Sequence, residues 1–191
     1  LGIDPGSKVI AWALLDVTRS AATWLDGGSF EIGRIVDDPI RRAAGKRAER
    51  EITDHDLALL DVDLRHALRS VDFTGPRLQC YVERPRKIIA TRPGAVSGVG
   101  ISLWLGGEVR RTVQQFQRDA RLDAPPVETV DPFEWRQALG LGRGPKDAEV
   151  AAALKQRISG MPERNNNHVR DAAGVALVGA RRTMMGLEVA R

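Results

Sequence analysis

The sequence predicts an α/β layered fold: a five-stranded mixed sheet, with three antiparallel strands and then two parallel ones, flanked by helices. Three observations carry this. Leu1-Gly2-Ile3-Asp4-Pro5-Gly6 reads as a buried strand that stops at a Pro-Gly turn. Val9 to Val17 and Ala22 to Ile32 alternate loosely and follow at short intervals, the pattern of an antiparallel meander. Two later apolar runs, Leu78 to Glu83 and Val127 to Val130, are separated by segments of helical period, which is how parallel strands are joined.

The other elements follow in chain order. Asp38-Pro39 opens a charged stretch to Ala48, read as a loop or a polar helix. Asp54 to Val71 sets Leu57, Leu60, Leu64, Ala67 and Leu68 at helical spacing, and Pro76 ends it. The only cysteine, Cys80, lies inside an apolar strand. It cannot form an internal disulfide, and it reads as a small core hydrophobe in a reducing compartment. Arg84 to Pro93 is a basic loop. Val96 to Phe116 is helical in pattern although Gly98, Gly100, Gly106 and Gly107 dilute it. Each glycine inside a helix costs about 1 kcal/mol, which makes sense where a backbone packs closely on a sheet or nears a ligand. Pro125-Pro126 precede the last strand, and Asp131-Pro132 cap a short helix to Leu139. Gly140 to Pro145 is a glycine-rich basic turn, Lys146 to Ile158 an amphipathic helix, and Val169 to Met185 the closing helix. With no internal repeat and no interdomain linker, residues 1–191 read as one domain.

At 42% hydrophobic and 28% charged, the composition is that of a globular protein. No apolar run reaches transmembrane length and no signal-peptide pattern is seen, so no membrane partner is expected. A formal charge of +4 and a pI near 9.7 favour an anionic partner.

The predicted order places the first strand in mid-sheet beside the Glu83 strand. Asp4 and Glu83 then leave adjacent parallel strands at one edge, where α/β folds keep their sites. His168 and Asp171 are three apart on the closing helix and share a face. Each residue has an ordinary structural reading: a turn acid for Asp4, an ion-pair partner of Arg84 or Arg86 for Glu83, a helix-dipole acid for Asp171, a helix-start surface residue for His168. Together they are three carboxylates and an imidazole, which repel unless a cation neutralises them. Oxygen ligands suit Mg²⁺ or Mn²⁺, and an imidazole favours Mn²⁺. Two such ions about 3.5–4 Å apart support phosphodiester hydrolysis, and surrounding Arg and Lys would hold phosphates.

Gly2-Ile3-Asp4-Pro5-Gly6-Ser7, Val82-Glu83, Lys146-Asp147-Ala148-Glu149-Val150 and His168-Val169-Arg170-Asp171-Ala172-Ala173 together resemble the RuvC Holliday junction resolvases of the ribonuclease H-like superfamily. The resemblance follows the whole chain in element order, and it marks a divergent, phage-like member. It implies a ribonuclease H-like fold with Asp4, Glu83, His168 and Asp171 as metal ligands and Lys146 as a catalytic cation near the scissile phosphate. It implies a homodimer on a four-way DNA junction, making two symmetric nicks with Mg²⁺ or Mn²⁺ and leaving 5′-phosphate and 3′-hydroxyl ends. Arg84, Arg86, Lys87, Arg92, Arg143 and Lys146 are the expected DNA-binding cations. A cytoplasmic, nucleoid-associated location in a bacterial or phage-infected cell follows from such a substrate. Whether a branch-migration motor is a partner stays open.

The loop after Glu83 departs from the bacterial pattern. It reads Arg84-Pro85-Arg86-Lys87-Ile88-Ile89, basic and aliphatic where bacterial relatives carry wedging aromatics. Opening of a junction would then fall to Ile88, Ile89 or the cations. The glycine-rich helix around Ile101, Leu103, Trp104 and Leu105 serves either as dimer interface or as core. Three other functions compete: a ribonuclease H-like nuclease acting on other branched DNA or on RNA, an actin-like phosphotransferase, and a binding module without chemistry. The second needs two related halves, which 191 residues do not hold; the third leaves the acidic set unexplained.

Overall fold

A computed structural model of the chain describes residues 1–6, 8–31, 34–36, 49–51, 58, 62, 65–66, 69, 78–84, 95–119 and 126–189. Strands β1 (Gly2–Pro5), β2 (Val9–Val17), β3 (Ala22–Glu31), β6 (Tyr81–Glu83) and β7 (Glu128–Val130) form one sheet in the order β3-β2-β1-β6-β7. β1, β2 and β3 pair antiparallel, while β1 with β6 and β6 with β7 pair parallel. This is the predicted topology. Two short strands, β4 (Arg34–Val36) and β5 (Glu49–Glu51), form a separate antiparallel pair that the charge pattern there did not announce.

Helix α1 (Ala95–Asp119) lies on one face of the sheet; α2 (Pro132–Ala138), α3 (Asp147–Lys155) and α4 (Asn167–Val189) lie on the other. The strand period of two sorts the core accordingly. Ile3, Ile10, Leu14, Cys80 and Val82 pack with Val109 and Val113 of α1. Ala11, Ala13, Leu15, Tyr81 and Val130 pack with Trp135, Leu154 and the run Ala172 to Val178. Small side chains on β2 and α4 let the closing helix lie close against the sheet. Gly2 marks the tightest approach: a Cβ there would fall 2.5 Å from the Ala176 nitrogen and closer still to the Ala172 carbonyl.

Cys80 is buried, and burial pushes its thiol up to about 11, so it is the core hydrophobe the sequence implied. α3 stops at Lys155 and gives way to a turn before Ile158, one turn earlier than the apolar pattern continues. Ala58, Val62, Arg65, His66 and Arg69 are helical, and Arg65 pairs with Asp119 at 3.0 Å; the expected apolar face of the 54–71 helix lies outside the described residues. So do the charged stretch 38–48 and Ser7. Among the described residues no helix is long and apolar enough to cross a membrane.

Candidate metal centre

Two strands and one helix build the site. Gly2 pairs with Tyr81 and Ile3 with Val82, so one step on Asp4 and Glu83 leave β1 and β6 side by side. By the period of two, Asp4 shares the face of Gly2 and Glu83 that of Tyr81, which is the face covered by α4. The start of α4 is anchored by Asn166. Its side-chain oxygen accepts from the Val169 N–H (2.8 Å) and its amide donates to Ser29 on β3 (2.6 Å). This fixes His168 and Asp171 over the strand ends. The His168 ring covers the turn after β1, and Gly6 leaves it room: a Cβ there would come 3.3 Å from the ring.

Asp4, Glu83 and Asp171 each offer a carboxylate oxygen, and all three oxygens lie within 4.8 Å of one another. His168 Nδ1 lies 2.7 Å from Asp4 Oδ2, beside that group rather than within it. Arg136 of α2 reaches another of the three, with Nη2 at 3.2 Å from Asp171 Oδ2. Its neighbour Trp135 is fully buried beneath Glu83, and the Arg136 guanidinium stands 5.0 Å from the Trp135 ring centre. Trp135 holds α2 against α4 at Gly174, where a Cβ would meet the indole at 2.6 Å.

The electrostatics are those of a site missing positive charge. Burial, then repulsion from Asp4 and Asp171, push the Glu83 carboxyl well above its usual range, against the pull of Arg136 and Trp135. Burial raises Asp171 to about 6, with Asp4 adding to the rise and Arg136 and His168 opposing it. The hydrogen bond to Asp4 raises His168, more than partial burial lowers it. The Trp135 indole N–H lies near the Glu83 carboxyl but outside hydrogen-bond geometry, so among the described residues the buried Glu83 Oε2 and Trp135 Nε1 have no hydrogen-bond partner. Three converging carboxylates, one with an orphaned oxygen, fit a hard divalent cation, and a neutral His168 could add a nitrogen ligand.

The structure thus brings together all four residues the sequence singled out. Lys146 is exposed at the start of α3. Its backbone N–H donates to Glu149 (2.9 Å), which fixes the helix start and leaves the ammonium outside. That start lies beside α4, because Arg170 donates to the Asp147 carbonyl at 3.2 Å. Arg84 is exposed just past β6, its N–H bound to the Val130 carbonyl. Arg143 is exposed on the α2–α3 loop. Arg86, Lys87, Arg92, Ile88 and Ile89 lie outside the described residues, as do the side chains of Ile101, Leu103, Trp104 and Leu105. Sequence reasoning missed Arg136 and Trp135. Their one signal was position: a short helix directly after a strand that ends at the same edge as Glu83.

By sequence, no protein-family model and no curated protein matches this chain. By structure it is similar to T. thermophilus RuvC in complex with a Holliday junction substrate, with a TM-score of 0.60 at 17% identity, over 97% of this chain and 94% of that one. The chain carries the RuvC fold. A second Thermus thermophilus RuvC structure gives a TM-score of 0.59 at 17% identity, over 97% of this chain and 95% of that one. The yeast mitochondrial Holliday junction resolvase Ydc2 gives 0.51 at 13% identity, over 95% of this chain and 75% of that one. At these identities the likeness is one of fold, and the chemistry of the site rests on its own residues.

Proposed function

We propose that this protein is a metal-dependent, structure-selective endonuclease that resolves four-way DNA junctions by paired symmetric nicks, leaving 5′-phosphate and 3′-hydroxyl ends. The observation that carries the reading is the cluster of Asp4, Glu83 and Asp171, with ligand oxygens within 4.8 Å of one another and one Glu83 oxygen without a partner among the described residues. The RuvC fold supports the choice of substrate, since one of the similar structures is a RuvC bound to a Holliday junction.

Asp4, Glu83 and Asp171, joined by His168, would hold Mg²⁺ or Mn²⁺; bound there, such ions supply an activated water and stabilise the leaving oxygen of a phosphodiester. The chain's own residues hold and orient. Arg136 fixes Asp171. The His168–Asp4 hydrogen bond orients the Asp4 carboxylate. Lys146 offers an ammonium near the scissile phosphate, and Arg84 and Arg143 offer exposed cations to its neighbours. In the same reading residues 1–191 form one nuclease domain, with Arg86, Lys87 and Arg92 continuing the cationic surface. One site makes one nick, so paired nicking calls for a homodimer. The location is that of the DNA, in a bacterial or phage-infected cell.

The test is incubation with a synthetic four-way junction, a fork and a linear duplex, in Mg²⁺, Mn²⁺ or EDTA, with the nicks mapped on each strand. Symmetric nicks on the junction, absent in EDTA, are expected. Equal cutting of the fork would replace the reading with a general branched-DNA nuclease, and no cutting of any DNA would remove it.

A further inference from the structure

Phe133 of α2 is 49% exposed. A single exposed apolar side chain needs no explanation by itself; the surroundings of this one give it a role. The Arg143 guanidinium stands 5.9 Å from the Phe133 ring centre, at the reach of a cation–π contact. Phe133 also precedes Arg136 by one helical turn, so the two side chains share a face of α2. Arg136 is the residue that touches Asp171, at 3.2 Å. The ring therefore lies on the face of α2 from which Arg136 reaches Asp171.

The loop that carries Arg143 reads Gly140-Leu141-Gly142-Arg143-Gly144. Gly140 (φ 78°) and Gly144 (φ 65°) adopt backbone conformations that side chains resist, and a Cβ at 140, 142 or 144 would meet nothing within 4 Å. The loop thus presents open backbone, not apolar side chains, beside the ring. One end of it leaves α2; the other reaches Lys146 and Asp147, where Arg170 of α4 donates to the Asp147 carbonyl. One end thus leaves the helix of Arg136, and the other meets the helix of Asp171.

We propose that Phe133 and Arg143 form a stacking platform for one unpaired nucleobase of the DNA strand whose phosphate lies at the carboxylate cluster, an inference that rests on the nuclease reading above. An aromatic face beside Arg143 and one helical turn from Arg136, with Lys146 three residues beyond Arg143 in the chain, complements a chain of flat bases and anionic phosphates. An apolar protein partner would need a wider apolar surround than three glycines provide. A base paired within a duplex is already stacked on both faces, so the platform takes only a base freed at a branch point or in a single strand. Stacking is tolerant of base identity, so the platform selects structure more than sequence.

The test is photo-crosslinking with 5-iododeoxyuridine, placed in turn at successive positions around the branch point of a four-way junction and along a single strand of the same sequence, in EDTA. The crosslink is expected on the peptide that bears Phe133, lost in Phe133→Leu, kept in Phe133→Trp and weakened in Arg143→Gln. Affinity for both DNAs is expected to fall about tenfold in Phe133→Leu, the scale of one base stacked on a ring. The melting temperature should not move, because the ring is half exposed. Crosslinks that map elsewhere on both DNAs, or that survive unchanged in Phe133→Leu, overturn the platform. If the wild type cuts junctions and Phe133→Leu crosslinks and binds as it does, the platform falls and the junction reading stands. If the wild type cuts no junction yet a single strand crosslinks at Phe133, the junction reading falls and the platform stands.

Discussion

Two acidic groups sit on either side of α2, and they are neutralised in different ways. On one side Arg182 of α4 lies between Glu128 (2.7 Å) and Glu134 (3.0 Å) and also donates to the Thr129 carbonyl (3.1 Å). Thr183 joins the same network, reaching Tyr81 at 2.8 Å. Here each carboxylate has a cation of opposite charge in hydrogen-bond contact. On the other side Asp4, Glu83 and Asp171 crowd within 4.8 Å, Arg136 touches only one of the three, and a buried Glu83 oxygen has no partner among the described residues. Both groups draw on β6 or β7 and on α4, so the same layers produce each. Neutralised acids hold elements together; acids left short of positive charge keep a place for a cation.

The comparison breaks most visibly in activity. Asp4→Asn and Glu83→Gln should each slow nicking by about a thousandfold or more, roughly 4 kcal/mol of barrier, while junction binding in EDTA is kept or strengthened. Strand-specific nick mapping and a gel-shift titration check this. Arg182→Met, on the neutralised side, should nick at close to the wild-type rate; a comparable loss there would erase the distinction between the two groups.

The next effect concerns protons. His168 in the metal-free protein is held above its ordinary pKa by Asp4, so the imidazole takes up a proton as pH falls through that raised value. A metal ligand must be neutral, and one competing proton weakens binding by about tenfold per pH unit below the pKa. Mn²⁺ binding by calorimetry should therefore weaken from pH 8 to pH 6 in the wild type. His168→Asp should flatten that dependence and shift preference toward Mg²⁺. An unchanged profile in His168→Ala would make His168 only a support for Asp4. The His168–Asp4 pair itself stabilises the fold fully below about 6.5, and that stability is lost as pH rises through the raised pKa.

Arg182→Met sharpens the other half of the comparison. It takes their shared arginine from Glu128 and Glu134, and since all three side chains are partly exposed the loss should be modest, about 1–2 kcal/mol by urea unfolding. The smallest effect has the opposite sign. Glu83 and Asp171 bind protons more tightly folded than unfolded, so the metal-free protein should lose stability as pH rises from about 4 through about 6, where Asp171 ionises, and lose more as pH rises through the raised pKa of Glu83. Glu83→Gln removes one of the repelling charges. In EDTA at pH 8 it should raise the melting temperature by about 2–4 °C, the shift that ~1 kcal/mol makes in a chain of this size. A fall in melting temperature would mean that Glu83 is neutralised after all.

Much of this was legible in local sequence. The alternation in Val9 to Val17, the Pro-Gly stop after Asp4 and the helical spacing before each later strand are contacts a few residues long, and they set the elements and their order. Asp131-Pro132 announced the start of α2, and Asp131 does accept from the Phe133 N–H at 2.9 Å. The antiparallel pair of β4 and β5 was not legible, because strands of three residues carry no period to read.

By itself the sequence determined which residues could share the sheet edge: Asp4 and Glu83 each end an apolar run, and His168 and Asp171 share one helix face. Only the tertiary structure decided how they are paired. It set His168 on Asp4, Arg136 on Asp171 and Glu83 over Trp135, because α2 and α4 pack on the same face of the sheet and meet at Gly174. Arg136 lies 35 residues from its partner, and the preference of a guanidinium for one carboxylate over another is written in packing rather than in spacing.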